Sequence, residues 1–349
     1  MKVAQIITEL KPSGPANVVK NIVGNMPDHI QSKVFYFRGP PTLDVDCECE
    51  HINFNTSSKL KDFDIIHSHG IRPDFLALYA GLLNKKVLTV STLHNYVKDE
   101  LLNIYGPKAA RFVTPLWINA WSRMNGLAVL TQDAFQYYSP LLGSEKLNII
   151  HNGIKASTNG NDADPDDQNK LKALGEKYYL LGTNAHIIKR KGIDQVVEAL
   201  KYLPDFALVV VGDGPCRQDL IQLSEEHGVS ERCWFTGYRS NVASFLPYYD
   251  IYVMPSRSEG FGLALLEAMA AHLPCVCSDI GVFREIMGEQ ASFFTLENID
   301  SFCESVRSAL ACRKQFAENG YQRYLEKFTG KAMGEAYANF YDEQLAKYS

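Results

Sequence analysis

Short apolar runs alternate with helix-patterned stretches along nearly the whole chain. The first, Lys2, Val3, Ala4, Gln5, Ile6, Ile7, Thr8, leads into Pro12, Ser13, Gly14, Pro15 and then into helical spacing from Ala16 to Val23. That order predicts strand, turn and helix. Strand-like runs recur at 33–37, 64–67, 87–92, 126–130 and 147–151, most of them separated by ten or more residues of helical character. Such alternation predicts parallel βαβ units. The pattern then stops, and 155–170 is a polar stretch of Ser, Thr, Asn, Gly and Asp that reads as a linker. A second series follows at 178–184, 206–212, 233–237, 251–255, 274–278 and 291–295. Continuous apolar runs such as Phe206, Ala207, Leu208, Val209, Val210, Val211 suit strands buried on both faces. Two Rossmann-like doubly wound α/β domains are expected, facing across a cleft, with ligands beyond the carboxyl ends of the strands.

A length of 349 residues agrees with two domains at roughly 150 residues each. With 35 basic and 40 acidic side chains, 35 − 40 = −5, the chain is too acidic for bulk attraction to nucleic acid. No uncharged run exceeds eleven residues, whereas a spanning helix needs about twenty. Glu9 and Lys11 interrupt the N-terminal apolar stretch too early for a signal peptide, so a cytoplasmic location is expected. Cys47/Cys49 and Cys275/Cys277 lack the CxxC spacing of a zinc site and read as reduced thiols.

Candidate chemistry concentrates in 255–270, where Pro255, Ser256, Arg257, Ser258, Glu259, Gly260, Phe261, Gly262, Leu263 run into Ala264, Leu265, Leu266, Glu267, Ala268, Met269, Ala270. A strand end, a glycine-bracketed turn and a helix start come in succession. Backbone N–H groups of Gly260, Phe261, Gly262 and Leu263 at that helix start would attract a diphosphate. Glu259 and Glu267 can each accept hydrogen bonds from hydroxyls of one ligand. Taken alone, the pair also fits a helix cap and a solvated helix residue.

The string PSxxEGFGxxxLEAMA resembles the signature of retaining family 4 glycosyltransferases, of the bacterial polysaccharide and O-antigen assembly type. The resemblance implies the GT-B fold. It makes residues 1–155 plus 332–349 an acceptor-side domain and 156–331 a nucleotide-sugar domain. It also implies that Glu259 contacts the transferred sugar, that Glu267 binds the ribose and that the turn between them holds the diphosphate. GTNAHIIKRKG at 182–192 is similar to the family's GRLxxxKG, so Lys191 falls on the lysine that neutralises the leaving diphosphate. His186 stands where the family has Arg, and imidazole lacks the guanidinium fork. A phosphate contact and a polar strand-end residue are both open for it. Gly212, in VGDGP, and Tyr238, in FTGYR, match donor-site segments, and Gly14 matches the first glycine-rich loop. His94 matches a strand-end histidine near the donor sugar, while His69 fits a core residue equally well.

Residues 106–124 combine Lys108, Arg111 and Arg123 with Phe112, Leu116, Trp117 and Trp121. They fit either a helix packed on the first domain or a surface docked on the inner membrane. The apolar positions of 321–348 read as a packing helix, which the family sends back to the first domain. Asp44/Asp46 and Asp162/Asp164 lack a strand leading into them, so no essential metal or other cofactor is expected. The absence of GxGxxG demotes an NAD enzyme.

The reading is transfer of a hexosyl or N-acetylhexosaminyl group, with retention, from a UDP-linked donor to a saccharide acceptor, lipid-linked as such acceptors are in bacterial surface polysaccharide assembly. Alternatives are a hydrolysing nucleotide-sugar 2-epimerase or a non-catalytic nucleotide-sugar-binding protein. The second is motivated by His186 and by His272, which stands where relatives often carry Gly.

Overall fold

A computed structural model of the chain describes residues 1–156 and 164–348. Asp162, one half of the second candidate acidic pair, lies outside the described residues. The chain divides into two compact units, Met1–Lys155 with Lys327–Ser349, and Ala156–Glu326.

The first unit is built on a parallel sheet of β1 (Lys2–Glu9), β2 (Gln31–Arg38), β3 (Cys49–His51), β4 (Ile65–His69), β5 (Leu88–Leu93), β6 (Gly126–Val129) and β7 (Leu147–Ile149). Its spatial order is β3-β2-β1-β4-β5-β6-β7. Helices α1 (Gly14–Val23), α2 (Ile71–Leu83), α3 (Val97–Ser122) and α4 (Gln132–Leu142) connect the strands. The second unit repeats the plan with β8 (Tyr179–Asn184), β9 (Phe206–Val211), β10 (Cys233–Gly237), β11 (Ile251–Met254), β12 (Cys275–Ser278) and β13 (Ser292–Phe294). Its parallel order is β10-β9-β8-β11-β12-β13. Helices α5 (Pro165–Gly175), α6 (Ile193–Ala199), α7 (Arg217–Glu226), α8 (Leu263–Ala270), α9 (Gly281–Met287), α10 (Ile299–Ala311) and α11 (Arg313–Lys327) accompany it. The chain ends in α12 (Gly330–Tyr348), which packs on α1 and buries Met333, Tyr337, Phe340 and Tyr341.

Each sheet winds outward in both directions from its first strand, so its switch points lie between β1 and β4 and between β8 and β11. The apolar runs Ile65–Ile66 and Phe206–Val211 are fully buried, as strands covered on both faces require. Three details depart from the pattern-based reading. β3 adds an edge strand of three residues, none of them buried. The stretch read as linker is already helical from Pro165, because the Asp164 carboxylate accepts from Asp166 N (2.9 Å) and Pro165 opens α5. The expected helix over 321–348 breaks after Lys327 and restarts at Gly330.

One buried side chain organises the first unit around its strand ends. Asp74, in the first turn of α2, accepts from Ser68 Oγ on β4 (2.6 Å) and Ser91 Oγ on β5 (2.7 Å) through Oδ1. Its Oδ2 accepts from Trp117 Nε1 (2.7 Å) and Trp121 Nε1 (2.8 Å), one turn apart on α3. Burial pushes the carboxyl up, and the four donors oppose that shift. Asp74→Ala would orphan three buried donors, since Ser68 Oγ also reaches the Val90 carbonyl (3.3 Å), and is expected to cost about 3 kcal/mol or more of stability. Urea unfolding followed by fluorescence checks this, since Trp117 and Trp121 are two of the three tryptophans. An unchanged midpoint would refute the clamp.

Candidate active site

In the second unit, the loop between β11 and α8 presents Glu259, whose side chain is 7% exposed. Its Oε1 accepts from Lys191 Nζ (2.5 Å) and Ser256 Oγ (2.9 Å), and its Oε2 from the Arg190 guanidinium (3.2 Å). Arg190 also donates to the Ser258 carbonyl. Burial pushes the Glu259 carboxyl up, but Lys191 and Arg190 outweigh it and hold the group below the usual carboxylate range. Glu259 therefore does not cap α8. Gly262 occupies that position without a side-chain hydrogen bond, so the N–H groups of the first turn lack a capping side chain.

Both cations come from the short 3-10 turn Lys189–Lys191, closed by Gly192 in a left-handed conformation (φ 66°). A Cβ on Gly192 would lie 2.0 Å from the Pro255 carbonyl oxygen, so only glycine lets this turn dock against the strand end that carries Glu259. Lys191, expected against a diphosphate, thus rests on Glu259. Arg190 was not singled out by sequence, although it stands beside Lys191.

Glu267, inside α8, is half-buried, and its carboxylate accepts no hydrogen bond among the described residues. Desolvation pushes its carboxyl up to about 7. At the end of β8, Asn184 is 8% exposed; its Oδ1 accepts from Tyr249 Oη (3.2 Å), while its buried Nδ2 has no protein partner. Asn184 is a second residue missed by sequence, two positions before His186. His186 is exposed, and its Nδ1 donates to the Asp213 carbonyl (2.9 Å), leaving Nε2 outward. Gly212 (φ 138°) bridges Gly237, and a Cβ there would meet the Ala185 carbonyl at 1.9 Å, which gives VGDGP a packing reason of its own.

Tyr238 is 66% exposed, whereas Arg239 pairs bidentately with Asp167 (2.6 and 2.9 Å) beside a cavity of about 480 Å³ lined also by Asp164, Asn241 and Phe245. Glu259, Lys191 and Glu267 do not line that cavity. His272 adopts φ 56°, the left-handed backbone that favours glycine, and stacks on Tyr321 at 3.6 Å. Ring stacking accommodates that departure.

In the first unit Gly14 is the first residue of α1, with Ser13 capping (3.4 Å to Ala16 N). His94, just past β5, lies 3.0 Å from His69 Nδ1 through its Nε2. His69 Nε2 meets Gln5 Oε1 (2.9 Å), and Gln5 Nε2 donates to Tyr341 Oη (3.0 Å). Tyr341 Oη meets His67 Nδ1 (2.7 Å), and His67 Nε2 meets Thr92 Oγ1 (2.8 Å). Burial pushes His94 down to about 4, His67 to about 3 and His69 well below the usual histidine value, so all three are neutral near pH 7. A cavity of about 40 Å³ is lined by His69, Gly70, His94, Asn95, Trp117 and Trp121. The segment 106–124 divides by face. Trp117 and Trp121 turn inward, while Phe112 (70% exposed) and Leu116 (62%) lie outward with Lys108 and Arg111. Among the described residues no helix is long and apolar enough to cross a membrane.

The family model described as Glycosyltransferase Family 4 matches residues 51–158, and that described as Glycosyl transferases group 1 matches 164–323. The O-antigen biosynthesis glycosyltransferase WclY of Escherichia coli is 31% identical, with 98% of each chain covered. The chain belongs to glycosyltransferase family 4. This glycosyltransferase is also similar to the UDP-Gal:alpha-D-GlcNAc-diphosphoundecaprenol alpha-1,3-galactosyltransferase of Escherichia coli, at 24% identity over 71% of this chain and 66% of the relative. Among solved structures, Anabaena Alr3699/HepE in complex with UDP and glucose superposes with a TM-score of 0.82 at 17% identity, covering 98% of this chain and 100% of that one. The fold is GT-B.

Glu267 makes stability depend on pH. Its folded-state value of about 7 lies above the ordinary 4.5, so its contribution is fully present below 4.5 and is lost as pH rises through 7. Glu267→Gln is expected to remove that slope and to stabilise the free enzyme at pH 8 by about 1–3 kcal/mol. Urea midpoints at pH 5 and pH 8 check this. Equal midpoint shifts at the two pH values would contradict it.

Proposed function

We propose that this glycosyltransferase moves a hexosyl or N-acetylhexosaminyl group, with retention, from a UDP-linked donor to a hydroxyl of a lipid-linked saccharide in bacterial surface polysaccharide assembly. The observation that carries the reading is Glu259, a buried carboxylate held by two cations next to a helix start without a side-chain cap. The names of relatives support it: WclY is an O-antigen glycosyltransferase, the galactosyltransferase uses UDP-Gal, and HepE binds UDP and glucose.

In the proposed cycle the donor diphosphate meets the backbone N–H groups of Gly260, Phe261, Gly262 and Leu263, with Lys191 and Arg190 turning from Glu259 to its oxygens. Gly212, His186 and Tyr238 border the nucleotide, Gly14 joins the donor-binding set, and Glu267 accepts from the ribose. Glu259, released from its cations, accepts from hydroxyls of the sugar, and His94 holds the same sugar. The bond from the anomeric carbon to the phosphate oxygen breaks, with its electron pair leaving on the diphosphate. The acceptor oxygen bonds to the same face of that carbon and passes its proton to the departing phosphate oxygen. Charge growing on the diphosphate is met by Lys191, Arg190 and the helix amides, so no essential metal is required.

Incubation with UDP- and GDP-sugars and a lipid-linked saccharide is expected to release UDP and form a product of retained configuration, undiminished by EDTA. Glu259→Ala should lower kcat by about a hundredfold or more. An inverted product, or full turnover by the variant, overturns the reading.

The outer face of α3, with Phe112 and Leu116 beside Lys108 and Arg111, is proposed to rest on the anionic cytoplasmic face of the membrane that carries the acceptor. Pelleting with phosphatidylglycerol vesicles should be strong at low salt. It should be lost at high salt and in Phe112→Ser/Leu116→Ser. Pelleting that persists in that variant removes this face from the proposal.

A further inference from the structure

The hydrogen-bond chain behind His94 has one direction. Tyr341 Oη accepts from Gln5 Nε2 (3.0 Å), which uses the amino side of the amide and turns Oε1 toward His69. A carbonyl oxygen only accepts, so His69 must carry its proton on Nε2 (2.9 Å from Gln5 Oε1). A neutral imidazole has one ring proton, so His69 Nδ1 is bare and takes the proton of His94 Nε2 (3.0 Å). His94 Nδ1 is then left as a bare acceptor.

We propose that Gln5 and Tyr341 are positioning residues that fix the tautomer of His94, so that its Nδ1 accepts a hydrogen bond from a hydroxyl of the transferred sugar. The inference rests on the reading above that His94 meets that sugar. Burial supports it, since a cluster held neutral keeps one proton per ring and the relay has a defined sense. The opposite tautomer would place an N–H where a lone pair is needed and would force the sugar hydroxyl to reverse its hydrogen bond. A wrong tautomer of this kind leaves the fold intact while it damages turnover. Gln5 and Tyr341 are both fully buried, on β1 and on α12, and Tyr341→Phe keeps the ring that fills the space while deleting the hydroxyl that meets Gln5 Nε2 and His67 Nδ1.

The experiment is ring-15N NMR of histidine-labelled enzyme with UDP added, together with turnover of the UDP-sugar identified in the transfer assay. For the wild type, His94 is expected to show a bare Nδ1 and a protonated Nε2. In Tyr341→Phe and Gln5→Leu the two forms should mix, and kcat should fall by about tenfold or more with little change in donor KM. Thermal melting identifies a variant that fails to fold, and Tyr341→Phe then stands alone as the test. A protonated Nδ1 in the wild type, or an unmixed tautomer and unchanged kcat in Tyr341→Phe, overturns the proposal. His94→Ala separates the two ideas. Full turnover by that variant removes His94 from the sugar site whatever its tautomer, whereas lost turnover with a protonated Nδ1 keeps the site and rejects the relay.

Discussion

A carboxylate that is 7% exposed persists as an anion only where its charge is matched, and around Glu259 that requirement sets the local structure of the second unit. Lys191 and Arg190 must reach it from a separate turn. That turn must dock against the Pro255 carbonyl, which in turn demands Gly192. Arg257, two residues earlier, clamps the same loop from outside through Asp194 and Glu297. In the proposed cycle the ion cluster is less a source of stability than a way of holding two cations and one carboxylate in store, each exchanging partners when the diphosphate binds.

The first unit meets the same problem of buried polarity without net charge. Three histidines, two tyrosines, a threonine and a glutamine satisfy one another around the ends of β4 and β5. Asp74 lies beneath them on neutral donors alone. Such a network is tightly coupled: apart from His94 Nδ1 its ring nitrogens all have partners, and deleting one member disturbs its neighbours. Under the proposed cycle the two solutions suit different tasks: charge exchange in one unit, a fixed pattern of donors and acceptors in the other.

Much of this was legible in the residues before any coordinates. Strands covered on both faces announce themselves as continuous apolar runs, and each such run proved to be a strand. β3 left no signal, because three residues on a sheet edge, none of them buried, have no measurable period, and α5 was hidden by its own polar surface although Asp164-Pro165 is a cap and first turn. Glu259 and Glu267 stand out through the resemblance of the one string that holds them both to a family signature, and Lys191 through that of a second string. Their partners do not. Which of Lys189, Arg190 and Lys191 turns inward depends on the approach of Gly192 to a strand end sixty-odd residues away. The relay behind His94 joins Gln5 to Tyr341 across 336 positions, where no local pattern reaches.

That separation also orders the birth of the molecule. The first unit is discontinuous, made of Met1–Lys155 and Lys327–Ser349, and Tyr337 and Tyr341 belong to its final helix. During synthesis β1 to β7 emerge and can pair long before α12 exists, so the buried amide of Gln5 waits without its phenol until the second unit has been translated. Emergence of α12 after the second unit, rather than folding of either sheet, is the event that finishes the histidine cluster, and a nascent chain arrested before that helix would carry its sheets with the cluster incomplete.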